Sequence, residues 1–376
     1  CSSCKTPRSS GSLSSLLSMR LSRVSVGVSL SPLALVLGLP PRAILQEEHL
    51  KGCRFELVTV DDRILPRYTR QVKPELYWAM TAVLNNAYAS NWGYDYRYVE
   101  LNESRMCNSH TFWGKVFYLA HRLRELEKSG AGCTWLLWLD SDAFVHEFDA
   151  SLRSFIAGLA RRYSIPRDVA MIVAEDRPLP PPNSPEASWE KYPVPRFRTD
   201  VAWLNPGVFL VRAGARGRRL IETWLAAADA AGTFLQWTWP AETAVLTEMV
   251  RPGRYPEASS VHTGTQNLSE AVQVVDMMEF NSPWGRFAAH LWGFHRYRRQ
   301  VDIWKGLMRI GADGPFGLTK LLKQAARHKV SWGPGQPERA CPGAPTAPDP
   351  TGSSLRARLA CRPFRCDRFV ESEQHG

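Results

Sequence analysis

From residue 55 onward the apolar positions alternate between strand-like and helix-like spacing. Phe55-Glu56-Leu57-Val58-Thr59-Val60 is a strand-length apolar run that ends in Asp61-Asp62. Pro74 then opens a helical pattern with Leu76, Met80, Val83, Leu84 and Ala87 on one side, and Gly93 closes it. Tyr94-Asp95-Tyr96-Arg97-Tyr98-Val99 predicts the next strand. A second helix is expected over about Thr111–Lys128, where Phe112, Val116, Leu119, Leu123 and Leu126 fall at helical spacing before Gly130 and Gly132. Thr134-Trp135-Leu136-Leu137-Trp138-Leu139 is apolar on both faces, as central parallel strands covered by helices on both sides are. The order strand–helix–strand–helix–strand predicts an α/β fold with an open, mostly parallel sheet flanked by helices.

Further on the pattern is less regular. Met171-Ile172-Val173-Ala174 predicts one more short strand, followed by a loop rich in proline (Pro178, Pro180, Pro181, Pro182, Pro185). A loop so long in a compact domain is usually functional or disordered. Ala202–Val211 has strand character, and Arg218–Ala228 and Glu242–Val250 have helical character. After about residue 330 Pro, Gly and Arg dominate, and no packed structure is expected there. The other end reads Met19-Arg20-Leu21-Ser22-Arg23, then Val24 to Pro41 without a charge. A basic start before an uncharged stretch is the pattern of a signal peptide or signal anchor. Ser25, Gly27, Ser29, Ser31 and Pro32 make it a poor membrane helix, and a Ser-rich leader or transit peptide is the alternative. Two sequons, Asn102-Glu103-Ser104 and Asn267-Leu268-Ser269, agree with secretory entry. The expected organisation is a leader and linker over 1–53, a catalytic domain over 54–330 and a loose tail over 331–376. The expected location is the Golgi or endoplasmic reticulum membrane, single-pass, with the catalytic body lumenal.

Composition narrows the partners. The 376 residues are 44% hydrophobic and 22% charged, a globular balance. The net charge of +11 is uneven, since residues 1–54 alone hold seven basic and two acidic side chains. The body is therefore only mildly basic, which suits a phosphate-bearing ligand and lacks the dense basic stripe of a nucleic-acid binder. The 14 Trp and 15 Phe can fill a core and leave rings to face a sugar or a membrane. Eight Cys are too sparse for a disulfide-stapled miniprotein. Cys1-x-x-Cys4 lacks the second half-site that zinc requires, and Cys361 and Cys366 could pair in an oxidising compartment.

The candidate chemistry begins where the most hydrophobic strand ends, at Leu139-Asp140-Ser141-Asp142. In open α/β sheets the ligand crevice lies beyond the carboxyl ends of the strands. Two carboxylates there call for a cation or basic partners. Strand alternation would aim Asp140 and Asp142 the same way, so that they share one divalent ion completed by water and substrate phosphates. The alternative is structural, with Asp140 accepting turn amides and Asp142 capping the next helix. A second cluster is Ala289-His290-Leu291-Trp292-Gly293-Phe294-His295-Arg296. Its imidazole could complete a Mn²⁺ site, since Mn²⁺ accepts nitrogen more readily than Mg²⁺ does, and its arginines could clamp a diphosphate.

In this order the segments resemble the galactosyl-, mannosyl- and xylosyltransferase family of fungi, plants and algae, over about residues 54–300. Phe112-Trp113-Gly114-Lys115-Val116 is similar to the family's aromatic-small-Lys-apolar segment. Trp135 to Asp142 is similar to its metal-binding strand end, and Leu204-Asn205-Pro206-Gly207-Val208-Phe209-Leu210-Val211-Arg212 to its Leu-Asn-x-Gly segment. Phe280-Asn281-Ser282 and His290-Leu291-Trp292-Gly293 resemble its closing motifs. The resemblance implies a GT-A fold, a retaining mechanism and a nucleotide-sugar donor (UDP- or GDP-sugar). It implies Asp140, Asp142 and His290 as ligands of Mn²⁺, with Mg²⁺ as the alternative. Lys115, Asp140, Ser141, Asn205, Gly207 and Gly293 are the implied donor-binding residues. Two departures stand out: Glu242-Thr243 replaces the family's usual Asp-Gln, and Phe294-His295 replaces its Cys-Lys. Glu242 is then the carboxylate candidate at the reacting centre, and His295 or Arg296 replaces a phosphate-facing lysine.

The function expected is metal-dependent transfer of a hexose or pentose from a nucleotide sugar to a glycan or glycoprotein. Two other classes stay open. A metal-dependent hydrolase of phosphate esters or nucleotide sugars would reuse the same residues, though a two-metal site would want more carboxylates and histidines. A non-catalytic sugar-nucleotide-binding protein would keep the fold alone.

Overall fold

The computed structural model describes residues 43–66, 76–101, 111–176, 203–230, 241–253, 268–283, 285–291, 303, 305–310 and 314–332. Strands β1 (Arg54–Asp61), β2 (Asp95–Leu101) and β3 (Thr134–Leu139) alternate with helices α1 (Tyr77–Trp92) and α2 (Gly114–Lys128). This is the order read from the apolar spacing. Gly93 ends α1 in the left-handed conformation (φ 67°), which glycine adopts without a Cβ penalty. Beyond β3 come β4 (Ala143–Val145), α3 (Leu152–Tyr163), β5 (Met171–Asp176), β6 (Trp203–Arg212), α4 (Ala215–Ala230) and α5 (Ala241–Val250). The chain continues through β7 (Val272–Val275), β8 (Ala288–His290), α6 (Gly314–Ala325) and β9 (Lys329–Trp332).

The large sheet has the order β7-β5-β6-β3-β1-β2-β9, and β4 and β8 form a separate antiparallel pair. Neighbours within it are parallel except at β6, which runs antiparallel to both β3 and β5. The carboxyl ends of β1, β3 and β5 therefore share one edge, and each is followed by an acidic residue or ends in one: Asp61, Asp140 and Asp176.

Alternation on the central strands divides the core in two. Trp135, Leu137 and Leu139 of β3 and Val208 and Leu210 of β6 pack with α1, α3 and α6 on one face. Leu136 and Trp138, with Phe209 and Val211, pack with α2, α4 and α5 on the other. Every side chain of β3 is buried, which explains its unbroken apolar run.

Several boundaries differ from expectation. The body begins at Ala43 rather than residue 54, because Leu45 and Leu50 are buried in the first core. It also passes residue 330, since β9 pairs with β2 up to Leu101↔Trp332. Helix α3 was not expected, although Ser151 caps it through Ser154 N–H and Leu152, Ile156, Leu159 and Ala160 form its buried stripe. Among the described residues no helix is long and apolar enough to cross a membrane. The stretch 24–41, both sequon asparagines, the proline-rich loop after Asp176 and the tail after Trp332 lie outside the described residues.

A disulfide joins Cys53 and Cys133, just ahead of the paired strands β1 and β3. It closes a sequence separation of 80 residues. Constraint of the unfolded chain over a loop of that size contributes about 4 kcal/mol. Cys53→Ser should therefore lower the denaturant midpoint by an amount matching about 4 kcal/mol, and reduction of the wild type should reproduce it in urea titrations.

Candidate metal centre

Asp140 and Asp142 stand on a tight turn between β3 and β4, not on the strand itself. Ala143 N–H closes the turn on Asp140 O at 2.8 Å. Strand alternation is thus not what brings the two carboxylates together; the turn is. Asp142 does not cap a helix, because β4 follows at once. Strand β4 pairs with β8 in the register Ala143↔His290, which carries His290 across about 150 residues of chain to the turn. Ligand atoms of Asp140, Asp142 and His290 lie within 4.8 Å of one another.

A chain of amides holds the imidazole. Asn281 Nδ2 donates to Asn205 O at 2.5 Å, which aims Asn281 Oδ1 at His290 Nδ1, 2.6 Å away. An amide oxygen can only accept, so Nδ1 carries a hydrogen and Nε2 is the nitrogen that faces the turn. Nε2 faces Asp142 Oδ1 at 3.1 Å. An imidazole oriented through its other nitrogen is the usual arrangement of a metal ligand. Oxygen, oxygen and nitrogen donors suit Mn²⁺.

Room for the ring comes from Gly207. A Cβ built there would stand 1.9 Å from His290 Cε1. Strand β6 bulges here: Val173 pairs with Phe209 while Ala174 pairs with Asn205, so residues 206–208 leave the β5 ladder. The bulge accommodates Pro206 inside a strand, while on the β3 side Gly207 O continues the ladder and accepts Asp140 N–H at 2.7 Å. Asn205 Oδ1 accepts Gly207 N–H at 2.9 Å and its Nδ2 donates to Asp176 at 3.2 Å.

On the other side Asp140 meets a buried lysine. Lys115 Nζ lies 3.0 Å from Asp140 Oδ1, 3.2 Å from Glu242 Oε1 and 3.2 Å from Pro206 O. Trp138 Nε1 also donates to Asp140 Oδ1 at 2.7 Å. Burial pulls the Lys115 ammonium down, but the Asp140 and Glu242 carboxylates outweigh it and raise its pKa, so it stays charged. Burial pushes the Glu242 carboxyl up, against the pull of Lys115.

The sequence-derived residues thus separate into groups. Asp140, Asp142 and His290 converge, with Lys115 and Glu242 joined to Asp140. Asn205 and Gly207 shape the ground beneath His290. The Ser141 hydroxyl accepts from Arg63 Nη2 at 2.8 Å. Gly293, His295 and Arg296 lie outside the described residues. Two residues at the edge were not anticipated. Arg63 also binds Asp61 in bidentate fashion and stacks on Tyr77 and Trp78, and Asp61-Asp62-Arg63 after the first strand was its signal. Asp176 ends β5 just as Asp140 follows β3.

The open seven-stranded sheet with one antiparallel strand and an acidic turn at its carboxyl edge is of the α/β class expected from the sequence. Residues 77–254 match the galactosyl transferase GMA12/MNN10 family, the family that the sequence motifs resemble. The match includes Lys115, Asp140, Asp142, Asn205 and Glu242; His290 lies beyond it. Among solved structures, that of a glycosyltransferase involved in the glycosylation of the major capsid of PBCV-1 is similar at 19% identity and a TM-score of 0.40. The similarity covers 66% of this chain and 99% of that one. No curated protein matches.

Two outcomes follow from this geometry. Gly207→Ala should displace the imidazole and weaken Mn²⁺ binding by roughly tenfold or more, read by calorimetric titration. The Asp176 carboxyl is pushed up to about 6, chiefly by burial, against the Asn205 hydrogen bond. The folded chain therefore holds that proton after the unfolded chain has lost it, and stability falls as pH rises from about 4 to about 6. Asp176→Asn should remove this component, so that its melting temperature declines less than the wild type's over that window.

Proposed function

We propose that the chain transfers a hexose or pentose from a UDP- or GDP-sugar to a glycan or glycoprotein acceptor with the help of one divalent ion. The observation that carries this reading is the convergence of Asp140, Asp142 and His290 at the carboxyl edge of the sheet. These residues would hold Mn²⁺, which when bound supplies positive charge to the diphosphate leaving group. Lys115 adds a fixed, water-shielded cation beside Asp140, and such preorganised charge is usually the largest catalytic contribution. Glu242, held to the same lysine, is the carboxylate we assign to stabilising the oxocarbenium-like sugar. Asn205 and Gly207 keep the imidazole in place. Retention of the anomeric configuration is the outcome the family resemblance favours, and NMR of the new bond reads it directly.

We also propose that the body works in the lumen of the Golgi or endoplasmic reticulum, tethered through residues 24–41. The Cys53–Cys133 disulfide supports an oxidising compartment.

The test is a panel of nucleotide sugars with and without Mn²⁺ and glycan acceptors. Acceptor-dependent nucleotide release is expected. Fast release without acceptor would instead mark a hydrolase, and donor binding without release a non-catalytic protein. Chelation should abolish donor binding by calorimetry, and added Mn²⁺ should restore it. Asp142→Asn should cut turnover by roughly a hundredfold or more while leaving the circular dichroism spectrum intact, because it deletes a charge at an edge and no core packing. Metal-independent donor binding that survives Asp142→Asn would refute the reading.

A further inference from the structure

Helix α1 is buried along most of its length, yet one stripe of it is polar. Tyr77, Thr81, Asn85, Tyr88 and Trp92 follow one another at spacings of three or four residues, so they share a face. Each polar tip except that of Tyr77 bonds directly to the backbone between Ser141 and Ala150. Thr81 Oγ1 lies 2.7 Å from Ser141 O, the nearest of the carbonyls within reach of its single proton. Asn85 Nδ2 donates to Ala143 O at 3.0 Å, and Asn85 Oδ1 accepts Val145 N–H at 3.0 Å. Tyr88 donates to Ala150 O and Trp92 to Phe148 O. Tyr77 acts through Arg63, which it accepts from at 2.9 Å and which reaches Ser141 Oγ.

The Asn85 amide stands where a neighbouring strand would be. Ala143 and Val145 turn their peptide groups to it, while Asp142 O and His146 N turn to the other side, toward Leu291 N and Phe287 O. Strand β4 is thereby held on one edge by β8 and on the other by a side chain. The carbonyls of residues 141, 142 and 143 are bonded in turn to α1, to Leu291 and to α1. Asp142 sits in the middle of that series. Thr81 and Asn85 are fully buried.

We propose that Thr81 and Asn85 are positioning residues for the metal centre: by pinning the backbone on both sides of Asp142 they set its distance to His290 and hence the affinity for the ion. The inference rests on the metal-dependent reading above. Thr81→Val exchanges the hydroxyl for a methyl of similar size and leaves Ser141 O without that donor. Thr81→Ser keeps the donor. Tyr88→Phe removes a hydrogen bond of the same helix face outside the turn, and so controls for general loosening of α1.

The experiment is direct titration of Mn²⁺ into the full chain by calorimetry, paired with thermal melting. Thr81→Val is expected to weaken Mn²⁺ binding roughly tenfold, with Thr81→Ser near wild type and Tyr88→Phe unchanged in affinity despite a lowered melting temperature. Thr81→Ala repeats the titration without a methyl against the carbonyl, should valine unsettle the core. Equal Mn²⁺ affinity in wild type and in the folded Thr81 variant overturns the inference alone. So does a loss in Tyr88→Phe as large as that in Thr81→Val. Absence of Mn²⁺ binding by the wild type overturns the inference together with the metal-dependent function, so the two failures are told apart by the wild-type titration.

Discussion

The ammonium of Lys115 ties together four elements that meet at the active edge. It comes from α2 and reaches Asp140 after β3, Glu242 on α5 and Pro206 O in the bulge of β6. Lys115 and Glu242 are almost out of water, so neither can rely on solvation. One cation between two carboxylates leaves an excess of negative charge beside Asp142. Removing the lysine would strand the buried Glu242 carboxylate, at a cost of about 3–5 kcal/mol. Its presence permits an acidic turn to follow a fully buried strand.

The excess negative charge has a chemical use. A diphosphate approaching Asp140 and Asp142 would be repelled unless a further cation stood between them. The imidazole opposite is held with Nε2 toward the turn by the Asn205–Asn281 relay, so three groups that could hold a metal ion face one another. The relay works only because Gly207 lacks a Cβ, and Gly207 is where it is only because β6 bulges. Antiparallel insertion of β6 between β3 and β5 is thus a functional feature of the sheet. It brings Asn205 and Gly207 from its start to the edge where β3 and β5 end.

The edge contains more polar organisation than the ligands themselves. Arg63 spans Asp61, Ser141 and two aromatic rings, joining the end of β1 to the Asp140–Asp142 turn. Helix α1 holds the same turn from behind. Such support matters because a turn three residues long has little stiffness of its own, and an ion site tolerates only small errors in ligand placement.

The sequence by itself determined the strand–helix order from β1 to β3, because apolar runs and helical spacing alternate there and Gly93, Gly130, Asp61 and Asp140 mark element ends. It determined that Asp140 and Asp142 lie at the carboxyl edge of the sheet, since that follows from a both-faces apolar strand ending in carboxylates. It also singled out Lys115, Asn205, Gly207, Glu242 and His290 through motif resemblance, without saying what any of them touches. Helix α3 is equally legible in Ser151 and its apolar stripe. The tertiary structure alone decided the rest. Nothing in local spacing shows that β6 runs antiparallel, that Gly207 yields its Cβ space to a histidine 83 positions later, or that Thr81 and Asn85 serve the turn. A period reports which face of an element is buried. It does not report which buried polar group finds which partner, because that choice depends on distances set only when the layers have packed.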